Sequence, residues 1–300
     1  MNPSPENKCC CPVCNSDQTR FVLRVKDHSV SAEYFEVYEC ARCRLRFTKD
    51  APASEKIGVY YESEDYISHS NTRKGLVNSL YHIVRRHTLS TKFHLIEKAS
   101  GLKQGHHLDI GAGTGAFVQC MNGKGWKSVG VEPDEKAREI ALLHHGTKLI
   151  SAAEFESFTP ESFDAISMWH VLEHVHTIYP YLQQIKKILK QQGTVFIAVP
   201  NYTSYDGMKY GADWAAYDVP RHLYHFSPSS MHWLLNEAGF QLVDEVPMWW
   251  DSFYISLLSE KYAGGNASLL KGFFTGMISN LKTVGDRKRC SSLIYVAKKA

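Results

Sequence analysis

The feature that most constrains this chain is the run His107-Leu-Asp-Ile-Gly-Ala-Gly-Thr-Gly-Ala116. An apolar strand ends in Asp109, and glycines follow at alternate positions, Gly111, Gly113 and Gly115. Phe117-Val-Gln-Cys-Met-Asn122 then reads as the opening of a helix. A strand that enters a glycine-rich turn and leaves it as a helix lets a ligand touch bare backbone beside the positive end of that helix. This suits a nucleotide-type cofactor. Gly111-x-Gly113-x-x-Ala116 also satisfies the permissive dinucleotide fingerprint, so the loop alone leaves the cofactor open. Glu132 closes the next apolar strand, where a carboxylate can accept two hydrogen bonds from a ribose.

Apolar strand segments at 107–110, 128–132, 148–151, 163–168 and 194–199 alternate with helical stretches. Such alternation implies right-handed crossovers and a parallel sheet covered by helices on both faces. Segments 240–246 and 292–297 supply two more strands. Taken as an ordered set, Asp109-x-Gly111-x-Gly113-x-Gly115, Glu132, Phe163-Asp164 and the Leu172-Glu-His174 helix opening resemble the class I S-adenosylmethionine-dependent methyltransferases, in the ubiquinone-biosynthesis-type small-molecule branch. The resemblance covers roughly residues 85 to 248. It implies a Rossmann-like, seven-stranded sheet with the last strand antiparallel, and S-adenosylmethionine as cofactor. By the same resemblance Asp109, the three glycines and Glu132 hold the cofactor. Ala153 lies near the adenine, and Trp169 and His170 border the methionine end. The segment before the first strand becomes a lid, with Tyr61, Tyr66 and His69 as candidates and Arg85 or Arg86 facing the methionine carboxylate.

Six of the eight cysteines fall in the first 43 residues. Cys11-Pro-Val-Cys14 and Cys40-Ala-Arg-Cys43 form two C-x-x-C turns with 25 residues between them. Two such turns complete a tetrahedral thiolate site, and the strand-like stretches 21–25 and 34–38 make the segment a small zinc ribbon with structural Zn²⁺. Cys9 and Cys10 adjoin the first turn and leave the register open. A redox pair or disulfides are the competing readings; the paired spacing and a reducing compartment weigh against them. Residues 1–50 hold eight Lys or Arg against seven Asp or Glu, a balance that argues against a nucleic-acid clamp, although Arg42, Arg44 and Arg46 alternate along one strand face. Sugar C-methyltransferases resemble this layout of a zinc-binding front domain before the methyltransferase fold.

A chain of 300 residues with 44% hydrophobic and 22% charged residues and a net charge of +3 has the composition of an ordinary enzyme. Its first residues lack a signal peptide's apolar core, which makes the cytoplasm the expected compartment. The expected organisation is a ribbon at 1–50, a linker and helical lid at 51–100, and a methyltransferase domain at 101–300 with an amphipathic insertion at 251–286. That insertion reads as a capping helix pair or as a contact for a partner or membrane surface.

On the acceptor side, residues 213–226 follow the fifth strand and are dense in Trp, Tyr, Arg and His. His222, His225 and Tyr217 are the candidate bases, and Arg221 could grip a carboxylate or phosphate. A folded-down loop with backbone-bonded histidines is the alternative. His170-x-x-Glu173-His174 would share one helical face, and related quinone O-methyltransferases hold a divalent cation near there, though with an acid where His170 stands. The expected activity is methyl transfer to a small molecule or glycoconjugate. An RNA methyltransferase, a nicotinamide-dependent oxidoreductase and a silent binding module are the alternatives. The methyl acceptor and the oligomeric state are not legible in these residues.

Overall fold

The computed structural model describes residues 9–61, 76–264 and 268–300, with the side chains of residues 76–86 outside that description. Among the described residues ten strands form two sheets. β1 (Thr19–Lys26), β2 (Tyr34–Cys40) and β3 (Arg46–Thr48) make the antiparallel ribbon. The large sheet uses β4 (His106–Ile110), β5 (Lys127–Val131), β6 (Phe163–Trp169) and β7 (Leu189–Pro200). The short β8 (Tyr224–His225) precedes β9 (Phe240–Pro247) and β10 (Ser292–Lys299). The large sheet runs β5-β4-β6-β7-β10-β9, parallel through its first four strands and antiparallel at β10, which pairs with both β7 and β9.

The expected seventh strand at 148–151 is reduced to one parallel bridge, Ile150 to Val131. Only Leu149 of that stretch is buried, so little apolar surface is available to hold a longer edge strand. The middle strands show the uninterrupted apolar character of a parallel sheet covered on both faces: Val195 to Val199 are all at 0% exposure.

Helix α1 (Leu76–Ser100) lays Phe93 and Ile96 on one face of the sheet, with α2 (Ala116–Gly123) adding Phe117 and Met121. α3 (Glu135–His145) follows β5, capped by the Asp134 carboxylate, which accepts from Lys136 N–H. α4 (Ile178–Ile188) presents Leu182, Ile185 and Ile188 to the other face. α5 (Tyr205–Tyr210) and α6 (Pro228–Glu237) flank β8. The insertion is a helix pair, α7 (Asp251–Gly264) and α8 (Leu269–Gly285), lying between β9 and β10.

The ribbon is not a free-standing module. β8, from the chain that follows β7, is the fourth strand of its sheet, with Arg46 opposite His225 and Phe47 opposite Tyr224. Thr48 N–H donates to Leu223 O (3.0 Å) and Thr48 Oγ1 to His222 O (2.7 Å). Cys11, Leu45 and Phe47 belong to the same apolar core as Leu223, Tyr224 and the α4 side chains. A boundary at residue 50 therefore separates sequence but not packing. Phe47→Ala removes a side chain shared by both sheets and is expected to cost about 3–5 kcal/mol. Denaturation followed by tryptophan fluorescence and by ribbon-specific probes is expected to shift as one transition; two transitions would mean that the ribbon unfolds on its own.

Candidate functional site

The glycine loop sits where β4 passes into α2. Gly111, Gly113 and Gly115 all take positive φ, +70, +53 and +75, which L side chains rarely adopt. Their surroundings differ. A Cβ on Gly111 would lie 2.3 Å from Val171 Cγ2, and one on Gly115 3.0 Å from Ala141 Cβ, so both glycines allow close packing. Gly113 faces open space, with nothing within 4 Å of such an atom. Glu132 fastens the loop: Oε2 accepts from Gly113 N–H (2.7 Å) and Oε1 from Asp134 N–H (3.0 Å). Burial raises its pKa against those two hydrogen bonds. Ala153 is exposed in a short helical turn (Ala152–Ser157) closed by a Ser151–Glu154 capping box.

Beneath the loop lies a buried polar chain. The His107 imidazole is bonded on both sides, to Ser128 Oγ (2.8 Å) and Ser167 Oγ (3.0 Å), and burial lowers its pKa to about 3. Ser167 Oγ donates to Asp109 Oδ1 (2.6 Å). Burial raises Asp109 to about 6, against the opposing pull of that bond and of Lys92. Lys92 from α1 stands 4.2 Å from the centre of the Trp169 ring, and burial lowers its pKa while Asp109 and Asp251 hold it up. Lys92 was missed in the sequence. Its signal was there: it falls on the same helical stripe as Leu89, Phe93 and Ile96, a lone cation on an apolar face. Of the expected lid groups, Tyr66 and His69 lie outside the described residues, as do the Arg85 and Arg86 side chains.

Past β6 the chain departs from the helix expected at Leu172-Glu-His174. His170 takes φ +58, and Leu172–His174 is a single 3-10 turn, so His170, Glu173 and His174 do not share a helical face. His170 Nε2 meets Asp251 Oδ2 at 3.0 Å and Nδ1 lies 3.4 Å from Glu173 Oε1. Burial alone would lower its pKa; the two carboxylates outweigh that and raise it to about 10. Glu173 is at 0% exposure, and neither carboxylate oxygen has a hydrogen-bond partner among the described residues. One ligand atom each from Glu173, His174 and His222 lies within 4.8 Å of the others, so the three could hold a divalent cation. His174 Nδ1 bonds Arg221 O (3.0 Å) and His222 Nδ1 bonds Ala216 O (2.9 Å). A carbonyl accepts, so each Nδ1 carries the proton and each Nε2 keeps its lone pair. Tyr61, one of the lid candidates, reaches the same place, with its hydroxyl 3.0 Å from His174 Nδ1.

The rest of the 213–226 loop is folded down. Tyr217, at 2% exposure, accepts from Arg46 Nη1 (2.8 Å), and His225 Nε2 bonds Thr48 Oγ1 (3.1 Å). Both serve the joint with the ribbon and stand outside the cluster of Glu173, His174 and His222. Arg221 forks onto Asp218 and donates to Tyr60 O (2.7 Å), so its charge is already matched inside the protein. His222 alone of the three expected bases opens onto the Glu173 cluster.

In the ribbon, Cys11, Cys14, Cys40 and Cys43 bring their sulfurs within 4.8 Å of one another, with Cys11–Cys43 at 3.6 Å and Cys14–Cys40 at 3.4 Å. Four thiolates at 2.3 Å from a tetrahedral centre stand about 3.8 Å apart, so the set fits Zn²⁺. Cys9 and Cys10 stay outside the cluster. Two members of the suspected basic stripe, Arg44 and Arg46, pair with buried Glu39, as does Arg20, each at 3.1 Å.

A family profile described as a methyltransferase domain matches residues 82–245. The chain is 27% identical over 147 residues to a ubiquinone biosynthesis O-methyltransferase of Thiobacillus denitrificans, a match covering 45% of this chain and 63% of that one. A ubiquinone biosynthesis O-methyltransferase of Vibrio cholerae is 31% identical over 115 residues, covering 36% and 47%. The chain thus spans between about half and just under two thirds of these relatives' lengths. Among solved structures, the 1,6-didemethyltoxoflavin-N1-methyltransferase of Burkholderia thailandensis superposes with a TM-score of 0.50 at 15% identity, over 92% of this chain and 100% of that one, a likeness of fold.

The buried Asp109 has a measurable consequence. Its pKa, raised from an unfolded value of about 3.9 to about 6, contributes stability that is complete below the unfolded pKa and is lost as pH rises through the folded one. Asp109→Asn is expected to gain about 2–3 kcal/mol on the wild type between pH 4 and pH 7. Urea unfolding at both pH values checks this; a constant difference would place the Asp109 pKa near its ordinary value.

Proposed function

The chain belongs to the class I S-adenosylmethionine-dependent methyltransferases, and on that premise we propose that it transfers a methyl group from S-adenosylmethionine to a small-molecule or glycoconjugate acceptor. The observation that carries this reading is the open backbone over Gly113, held by Glu132. Gly111 and Gly115 shape the loop, Gly113 admits the cofactor, and Glu132 turns its remaining lone pairs to the ribose hydroxyls. Ala153 borders the adenine. Lys92 is a further cation that can face the methionine carboxylate, besides Arg85 or Arg86.

The cofactor supplies an electrophilic methyl on a sulfonium. Transfer breaks that carbon–sulfur bond, forms a bond to the acceptor atom, and requires alignment of the three centres and loss of any acceptor proton. His222 is the residue we assign to take that proton. Its Nδ1–H is held by Ala216 O, its Nε2 is an acceptor, and the buried Glu173 carboxylate beside it stabilises the imidazolium that forms. His170 keeps its charge between Glu173 and Asp251 and orients both. The name of the curated relatives makes an oxygen acceptor the first to test. We assign structural zinc to the four ribbon cysteines. The near balance of eight basic and seven acidic residues over 1–50 weighs against the ribbon as an RNA clamp.

Calorimetric titration with S-adenosylhomocysteine, and with NADH in parallel, tests the cofactor. Binding of the first alone is expected, abolished by Gly113→Arg with zinc content unchanged. Binding of NADH alone would make the loop a dinucleotide site. Once an acceptor is found, His222→Ala is expected to lower kcat about 10²–10⁴-fold at unchanged cofactor affinity; unchanged kcat would remove it as base. Metal analysis is expected to find about one zinc per chain, lost in Cys40→Ser.

A further inference from the structure

Helix α8 packs with its faces reversed relative to an ordinary surface helix. Leu270, Phe273, Phe274, Met277, Leu281 and Val284 recur at i, i+3, i+4, i+7, i+11 and i+14, a single apolar stripe about 100° wide. That stripe faces solvent: Leu270 is 72% exposed and Val284 75%. The opposite stripe, Gly272, Thr275, Gly276, Ser279 and Thr283, is the buried one. A Cβ on Gly272 would lie 2.9 Å from Leu257 Cα, and one on Gly276 2.9 Å from Phe253 Cα, so α7 and α8 meet backbone to backbone through a G-x-x-x-G pair. The small face is also anchored by hydrogen bonds. Ser279 Oγ donates to Asp206 Oδ1 (2.8 Å), and Ser252 Oγ bonds Asn280 Oδ1 (3.0 Å). The helix cannot roll its apolar stripe inward without leaving those groups unpaired.

Small residues inside and large apolar residues outside is how helices pack when their surroundings are lipid. Charge agrees. No Asp or Glu occurs from Ser268 to Gly285, while Lys271 and Lys282 stand on one flank of the apolar stripe, both exposed. From there they can extend to anionic headgroups while the stripe is immersed. Trp249, Trp250 and Tyr254, all exposed, continue the surface with the amphipathic aromatics suited to a membrane interface. A second copy of α8 fits less well, because it would bring lysines with no acidic residue on the helix to meet them. Among the described residues no helix is long and apolar enough to cross a membrane, and the 17 residues of α8 span only about 25 Å, so the helix lies in the interface plane.

We propose that the α7–α8 hairpin docks this protein on an anionic lipid surface, with the outer stripe of α8 buried among the acyl chains. The hairpin starts at Asp251, the partner of His170, so the docking element is joined directly to the candidate site. The family match ends at residue 245, before the hairpin, and the docking stands independently of the methyl-transfer reading.

Co-sedimentation of the full chain with vesicles tests it. Phosphatidylcholine vesicles with about a quarter phosphatidylglycerol are expected to retain the protein, neutral ones much less, and added salt to weaken retention. Phe273→Glu with Phe274→Glu is expected to lower the partition coefficient at least about tenfold at an unchanged thermal midpoint. Lys271→Glu with Lys282→Glu, which leaves the apolar stripe intact, is expected to abolish the preference for anionic vesicles. No retention of the wild type, or equal retention of the phenylalanine variant, overturns the proposal. So does a wild-type dimer that the phenylalanine variant converts to monomer without any vesicle binding, which would make the face an interface between copies.

Discussion

The pairing of β3 with β8 is the constraint on which the rest of the site depends. It is only two residue pairs long, yet it gives the ribbon its fourth strand and pins the loop that follows β7. An edge strand left open is exposed to wrong pairings, and β8 occupies that edge. Side chains reinforce it. Arg46 bonds the Tyr217 hydroxyl, stacks its guanidinium 3.9 Å from the centre of the Tyr202 ring, and pairs with Glu39. With the loop held there, Arg221 reaches Asp218 and the backbone of Tyr60, and His222 comes to rest beside Glu173 and His174.

Charges in this protein are taken out of water in matched groups. Buried Glu39 answers Arg46, with Arg20 and Arg44 joining from the solvent side; Asp218 answers Arg221; Asp251 and Glu173 answer His170. Removing one member of such a group leaves the remainder desolvated and unpaired, which costs more than the pair contributes. Glu173 differs in one respect: beyond its ion pair with His170, neither of its interior oxygens receives a hydrogen bond among the described residues. A group left in that condition is one that a proton, a cation or a substrate completes.

What the sequence made legible was local. The glycines mark their loop because three positive-φ residues at alternate positions strongly favour glycine, and the two C-x-x-C turns mark theirs because thiolate spacing is short-range. The parallel strands and the antiparallel last strand followed from alternation and family likeness. Contacts across the fold were not legible. Nothing in Tyr224-His225 announces a strand that belongs to the ribbon, so the density of Trp, Tyr and His around it read as an acceptor loop when part of it is a joint. The helix expected at Leu172 fails because the left-handed turn at His170 sets a different course, and that turn is fixed by partners far along the chain, Asp251 among them. Lys92 escaped notice because its partners Asp109 and Asp251 come together only when α1 covers the sheet.

The same joint sets an order of events during synthesis. Thr48 and His225, which bond across it, are 177 residues apart. At about 5–20 residues per second, the ribbon waits roughly 10 to 35 s on the ribosome before β8 is made. Through that interval β3 is an unpaired edge on a small sheet whose apolar side, Leu45 and Phe47, has not yet met its core. The cysteine cluster closes through contacts no more than 32 residues apart, so it can form long before the joint does. The front of the chain is then a preassembled template on which the loop bearing His222 is later laid.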